Sequence, residues 1–304
     1  MTGGMRRALL GGVALLFAGA VAGWVLTAPE TVPDDSVAAD GGSAESGQAI
    51  FAIGGCASCH AENGAKGERK LVLAGGRSFV TEFGTFYAPN ISPDSEAGIG
   101  AWRFVDFVNA MKHGVSPDGS HYYPAFPYTS YSRMKTEDLL DLWAYLKSLP
   151  VSAQPNTPHA VGFPFSIRRG LGLWKRLYLD PAPVVEVSMD LQRGRYLVEG
   201  PGHCGECHTP RSVIGGPDLS RWLAGGPNPD GEGTIPNLTP AGGDIASWTE
   251  ADIAEYLKSG FTPDFDTAGG SMVEVVENTG SLSDDDRRAI ARYLKAIPPV
   301  SASK

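Results

Sequence analysis

The chain has 304 residues and a formal net charge of −9, and 42% of it is hydrophobic. That acidic balance fits a soluble exported body and argues against nucleic-acid binding, which needs clustered positive charge. There is also no dinucleotide fingerprint at a strand–helix junction and no nucleophile–base signature, so the sequence offers no substrate chemistry from those sources.

The first predicted element is an apolar helix. Arg6 and Arg7 precede an uncharged run from Ala8 to Ala28, 21 positions rich in Leu, Val, Ala and Gly. At ~1.5 Å per helical residue this run is ~30 Å long, about the thickness of a bilayer core. The positive charges should stay cytoplasmic. Residues 1–28 are therefore read as an inner-membrane anchor, with the rest of the chain in the periplasm. A cleaved signal peptide, cut after Ala20-Val21-Ala22, is the rival reading. Against it, the apolar run continues through Gly23-Trp24-Val25-Leu26, and Trp24 suits a membrane interface. Residues 29–46, rich in Pro, Asp, Gly, Ser and Ala, are expected to form a flexible tether.

All four cysteines then fall into two runs, Cys56-Ala57-Ser58-Cys59-His60 and Cys204-Gly205-Glu206-Cys207-His208. Each is C-x-x-C-H, the attachment signature of c-type haem. On a helical turn, positions i, i+3 and i+4 share a face. Two thiols can bond to the haem vinyl groups while the next imidazole reaches the iron from the same side. A zinc or dithiol site is a poor explanation of two such runs, each with His directly after the second Cys. The expected cofactor is two covalently bound haem c groups, held by Cys56, Cys59, His60, Cys204, Cys207 and His208.

The remainder is an internal repeat. Cys56 to Pro150 and Cys204 to Pro298 both span 94 positions. Between them Asn90-Ile91-Ser92-Pro93 recurs as Asn237-Leu238-Thr239-Pro240, Trp102 as Trp248, and Gly114-Val115-Ser116-Pro117-Asp118 as Gly260-Phe261-Thr262-Pro263-Asp264. A helix is predicted from Trp102 to Lys112. Each unit closes on a helix capped by Thr136 or Ser283, acidic in its first turn and stopped by Pro150 or Pro298. The division is residues 47–150, a linker at 151–189, and residues 190–300. In the linker, Arg168, Arg169, Lys175 and Arg176 alternate with Leu171, Leu173, Trp174, Leu177 and Tyr178. This short basic amphipathic helix could meet anionic headgroups, contact a partner protein, or strap the two units together with its charges solvated.

From about Gly47 to Pro299 the chain resembles class I cytochromes c. More narrowly, it is similar to the membrane-anchored multihaem cytochrome c subunits of proteobacterial alcohol, aldehyde and gluconate dehydrogenases. The carriers are Ala88-Pro89-Asn90-Ile91-Ser92-Pro93, Gly98-Ile99-Gly100-Ala101-Trp102, Tyr122-Tyr123-Pro124-Ala125-Phe126-Pro127-Tyr128 and Cys204-Gly205-Glu206-Cys207-His208-Thr209-Pro210-Arg211. Those subunits commonly bear three haems, and this chain has motifs for two. The resemblance implies an all-α fold: two tandem cytochrome c domains after a transmembrane helix. It also implies a methionine on the iron opposite each histidine.

Met272, ten positions before Leu282, falls where the family's loop methionine lies. In the first unit the equivalent position is Phe126, which cannot bind iron. Met134 is the first replacement and His121 the second. Met111, read as core, and His113 are further candidates, and an open iron site is the last. Trp102 and Trp248 could donate to haem propionates or plug the two cores. His203 is read as a surface or haem-edge residue, and His159 has no evident partner.

The expected function is relay of single electrons from an exported dehydrogenase to a quinone, cytochrome or oxidase, without a substrate of its own. The alternative, motivated by Phe126, is a dihaem redox enzyme of the peroxidase or thiosulfate dehydrogenase kind with an open or labile first haem.

Overall fold

The apolar run forms a single helix, α1 (Gly3–Leu26). Its Leu9–Leu26 stretch has a mean hydropathy of 2.2 and none of it is buried. The structure, a computed structural model, describes residues 3–228 and 233–301.

Beyond α1, two halves are built in a similar order, the second with one short helix more among the described residues. The first contains α2 (Ala44–Ile53), α3 (Cys56–His60), α4 (Phe104–His113), α5 (Tyr128–Tyr131) and α6 (Thr136–Ser148). α7 (Leu171–Tyr178) lies in the connection. The second half contains α8 (Gln192–Glu199), α9 (Gly205–His208), α10 (Gly243–Ser247), α11 (Glu250–Ser259), α12 (Met272–Thr279) and α13 (Asp284–Ala296).

In each half the first helix crosses the last at a glycine. A Cβ on Gly47 of α2 would overlap the Asp141 carbonyl of α6, and one on Gly194 of α8 would overlap the Ala289 carbonyl of α13. Only glycine allows the two backbones to touch. Ser283 caps α13 as expected, its side chain accepting from the Asp286 amide. Thr136 does not cap α6: it is the first helical residue, and Lys135 occupies the cap position.

Each half has its own apolar cluster. The first is built around Leu73, Phe104, Val108, Met111, Met134, Leu139 and Leu142. The second is built around Leu197, Val198, Trp222, Leu223, Ile253, Ile290 and Leu294. Ile53, at the end of α2, inserts into the second cluster and ties the halves together.

Three features depart from the sequence reading. First, the fold is helix-rich but not purely helical. β1 (Ser78–Thr81), β2 (Gly84–Tyr87) and β3 (Ala160–Val161) form an antiparallel sheet, and β4 (Gly226–Pro227) pairs with β5 (Thr234–Ile235). Second, the segment expected to be a free tether runs along the first half. Val32 and Val37 pack on its core, the Val32 amide donates to Asn109 Oδ1 at 2.8 Å, and Arg103 pairs with Asp34. Two isolated valines leave no periodic signal, yet they suffice to seat the segment. Third, the strap's charges are not all solvated. Lys175 is 8% exposed and donates to the carbonyls of His113 and Gly114 at 2.6 and 2.7 Å.

Candidate cofactor-attachment site

Both C-x-x-C-H runs are helical. Cys56, Cys59 and His60 lie on α3. Cys207 and His208 lie on α9, with Cys204 at its N-cap. Gly205 is small for a visible reason, since the Trp222 ring sits where its Cβ would be.

The two histidines are oriented alike. His60 Nδ1 lies 2.8 Å from the Pro89 carbonyl and His208 Nδ1 lies 2.8 Å from the Pro236 carbonyl. A carbonyl can only accept, so each Nδ1 carries the proton and each Nε2 presents its lone pair. This is how a metal-ligating imidazole is held. Loss of solvation lowers both histidine pKa values, opposed in part by these carbonyls.

The acceptor loops are themselves fixed. The His60 carbonyl accepts from the Gly75 amide, and that of His208 from the Gly225 amide, both at 2.7 Å. Asn90 Oδ1 accepts from the Ser92 amide, and Asn237 Oδ1 from the Thr239 amide. Their Nδ2 groups donate to the chain after the last helix of each half, at Ser152 and Val300. The recurring Asn-x-Ser/Thr-Pro is therefore the brace behind each histidine.

Burial and the neighbouring thiol push the Cys56 and Cys204 thiols up to about 12. Among the described residues no group of three or more His, Cys, Asp or Glu side chains could hold a bare metal ion. Two thiols followed by an imidazole whose Nε2 is left free form a donor set that fits haem c.

The expected second ligands are placed differently. Met134 is 2% exposed, in the first cluster, against which Cys56 and Ala57 also pack. Met272 is half-buried as the first residue of α12. Phe126 stands within an aromatic group, its ring 5.8 Å from Tyr122 and 5.7 Å from Tyr131. His121 is turned elsewhere: buried, with Nε2 donating to the Thr27 carbonyl at the end of α1, at 2.9 Å. Met111 lies in the first core, as read, and Trp102 and Trp248 are half-buried against their respective cores.

Sequence reasoning missed the contacts between the halves. Ser58, inside the first motif, accepts from Asn278 of α12 at 2.9 Å. Glu206, inside the second motif, accepts from Thr129 and Ser130 of α5 at 2.6 and 2.7 Å and pairs with Arg211. Burial alone would raise the Glu206 carboxyl, but Arg211 and the two hydroxyls outweigh it and hold it below the usual range. Arg77 bridges from the Ser58 carbonyl to Glu274. His203 Nε2 donates to the Gly54 carbonyl at 3.2 Å, so it is an interface residue. His159 also has a partner, its Nδ1 accepting from the Tyr87 amide. The repeat's equal offset was a signal that Ser58 and Glu206 are equivalent, but nothing in it indicated their partners.

Comparison with known proteins agrees with this geometry. Residues 44–150 match the cytochrome c family model. The chain is 54% identical to a "Diheme cytochrome c-type" protein of Cereibacter sphaeroides, over 97% of this chain and 100% of that one. It is 37% identical to the cytochrome c subunit of a quinone alcohol dehydrogenase from Gluconacetobacter polyoxogenes, over 91% of this chain and 60% of that subunit. It is 36% identical to a gluconate 2-dehydrogenase cytochrome c subunit from Pantoea cypripedii, over 85% and 60%. The chain thus spans about three-fifths of the two dehydrogenase subunits.

Proposed function

The chain belongs to the cytochrome c family, and from that premise we propose that it is a dihaem relay made of two tandem class I cytochrome c domains. Bound haem c supplies a one-electron ferric–ferrous couple. The work of the chain is to hold two such groups, set their surroundings and keep their separation constant. Cys56 and Cys59, and Cys204 and Cys207, would form the thioether links. His60 and His208 offer Nε2 to the irons, each ring kept in one tautomer by a proline carbonyl. Met134 and Met272 would each supply a second protein donor to an iron.

The observation that carries the reading is the reciprocal clasp. Each attachment motif is bonded by the opposite half, Ser58 by Asn278 and Glu206 by Thr129 and Ser130. Bonds from each half to the other's attachment helix oppose drift of one helix relative to the other, and a constant separation is what relay between two sites requires.

α1 serves as the inner-membrane anchor and places the remainder in the periplasm. The donor is an exported dehydrogenase, in keeping with relatives named as dehydrogenase cytochrome subunits. The acceptor is a quinone, a cytochrome or an oxidase. Phe126 favours a second reading, a dihaem redox enzyme with an open first haem.

A spectroscopic redox titration of the purified holoprotein, repeated under CO, separates the two. Two low-spin waves unaffected by CO support the relay. A high-spin fraction that binds CO overturns it in favour of the enzyme.

A further inference from the structure

The strap between the halves exposes an unusual amount of apolar surface. Phe163, Phe165, Ile167, Leu173 and Leu177 are 83, 45, 55, 49 and 70% exposed within fifteen residues of chain. The inward face of the same segment is well fastened. Trp174 donates to the Ile214 carbonyl at 2.9 Å, Tyr178 bonds Ser212, and Lys175 reaches the end of α4. The exposed side chains are therefore the outer edge of an ordered element. Single exposed apolar residues are ordinary on a protein surface, but five within so short a segment are a concentration that marks an interaction face.

What covers it follows from where the strap is attached. Gly172 packs so tightly on Thr27 that a Cβ there would overlap its backbone. Arg169 donates to the Trp24 carbonyl at 2.7 Å and to Thr27 Oγ1 at 3.0 Å, and its guanidinium lies 4.0 Å from the centre of the Trp24 ring. Arg176 donates to the Leu26 carbonyl at 2.7 Å. The strap is thus locked onto the last turn of α1. The apolar stretch Leu9–Leu26 spans ~27 Å at ~1.5 Å per residue, close to a full bilayer core, so its end emerges at headgroup level. Any element bonded to Trp24, Leu26 and Thr27 stands at that depth. Aromatic and aliphatic side chains beside arginines are the composition of an element lying in the interface.

We infer that residues 163–177 lie on the surface of the bilayer, with Phe163, Phe165, Ile167, Leu173 and Leu177 seated among the lipid headgroups. The strap then acts as a foot for the periplasmic body. With α1 as the sole membrane contact the body would tilt with that helix, whereas the foot fixes its height and tilt above the membrane. The inference rests on α1 as a membrane span.

The test is hydroxyl-radical footprinting of the full-length holoprotein in phosphatidylcholine/phosphatidylglycerol nanodiscs, with each side chain normalised to the unfolded chain. Phe265, 91% exposed and distant in sequence from the strap, is the water-facing reference. Leu16 and Phe17 report on α1. The expected result is that Phe163 and Leu177 oxidise several-fold more slowly than Phe265. Oxidation of both at the Phe265 rate, with Leu16 and Phe17 protected, overturns the inference while leaving the anchor intact. If protection of the strap then appears only on adding a dehydrogenase, the patch is a protein interface instead. Oxidation of Leu16 and Phe17 overturns the membrane span itself. A Phe163→Glu/Leu177→Glu variant supplies a second reading. Ile167 and Leu173 should oxidise several-fold faster in nanodiscs while Leu16 and Phe17 stay protected. Unchanged protection of Ile167 and Leu173 would mean that lipid is not what covers them.

Discussion

Ser58 and Glu206 occupy the same position in the two attachment motifs, and each is gripped by the opposite half of the molecule. Asn278 donates to Ser58 Oγ at 2.9 Å, and Thr129 and Ser130 donate to Glu206 Oε1 at 2.6 and 2.7 Å. The helices that supply the grips, α5 and α12, precede the last helix of their respective halves. Each half therefore uses the same region to hold its neighbour's cofactor site.

The first prediction concerns that clasp. A double-mutant cycle of Ser58→Ala with Asn278→Ala should show a coupling of about 1 kcal/mol, the net worth of one neutral hydrogen bond. Glu206→Ala should cost more, about 2–4 kcal/mol, because it leaves Arg211 and two hydroxyls without their acceptor. Denaturant unfolding of the holoprotein measures both. Additivity of the first pair would remove the clasp from the account.

Gly47→Ala and Gly194→Ala should be alike in effect. Each forces a Cβ into a facing carbonyl where the first and last helices of a half cross. Overpacking of this kind costs about 1–3 kcal/mol. Thermal unfolding of the two variants is the check, and a neutral Gly194→Ala would mean that the second crossing is looser than described.

The two methionines proposed as iron donors can be tested one at a time. Met134→Ala should shift or split one redox wave and leave the other where it was, and Met272→Ala should do the reverse. A Met134→Ala variant with both waves unchanged would exclude that methionine as a ligand.

Lys175 predicts a pH dependence outside the haem sites. Desolvation lowers its amine to about 7, opposed in part by Glu30. A neutral amine can still donate to both carbonyls. Because the unfolded chain holds this proton up to about 10.4, it binds more protons than the folded one between those values. Stability should therefore rise with pH through this window, by about 1.5 kcal/mol from pH 7 to 8.5. Lys175→Met should flatten that slope. An equal slope in both proteins would show that the amine keeps its ordinary pKa.

The sequence by itself determined most of what depends on neighbours along the chain, although the cap of α6 and the hairpin of β1 and β2 escaped it. The C-x-x-C-H spacing places thiols and imidazole on one face because a helical turn does so in any context. α1 follows from hydropathy and length, and the repeat of landmarks marked the two segments that the structure shows bracing the histidines. Only the tertiary structure decided what lies across the chain. Asn278 is 220 residues from Ser58, and Thr129 is 77 from Glu206. No local pattern encodes such pairs, because their geometry exists only after the helix crossings at Gly47 and Gly194 have set the frame. The same holds for Val32 and Val37, which have no periodicity yet find a core. It holds for His121 too, whose composition suggested an iron ligand but whose ring is turned to Thr27 by the packing of α1. Local sequence fixes conformation within a turn. Burial and partners are properties of surfaces that meet only on folding.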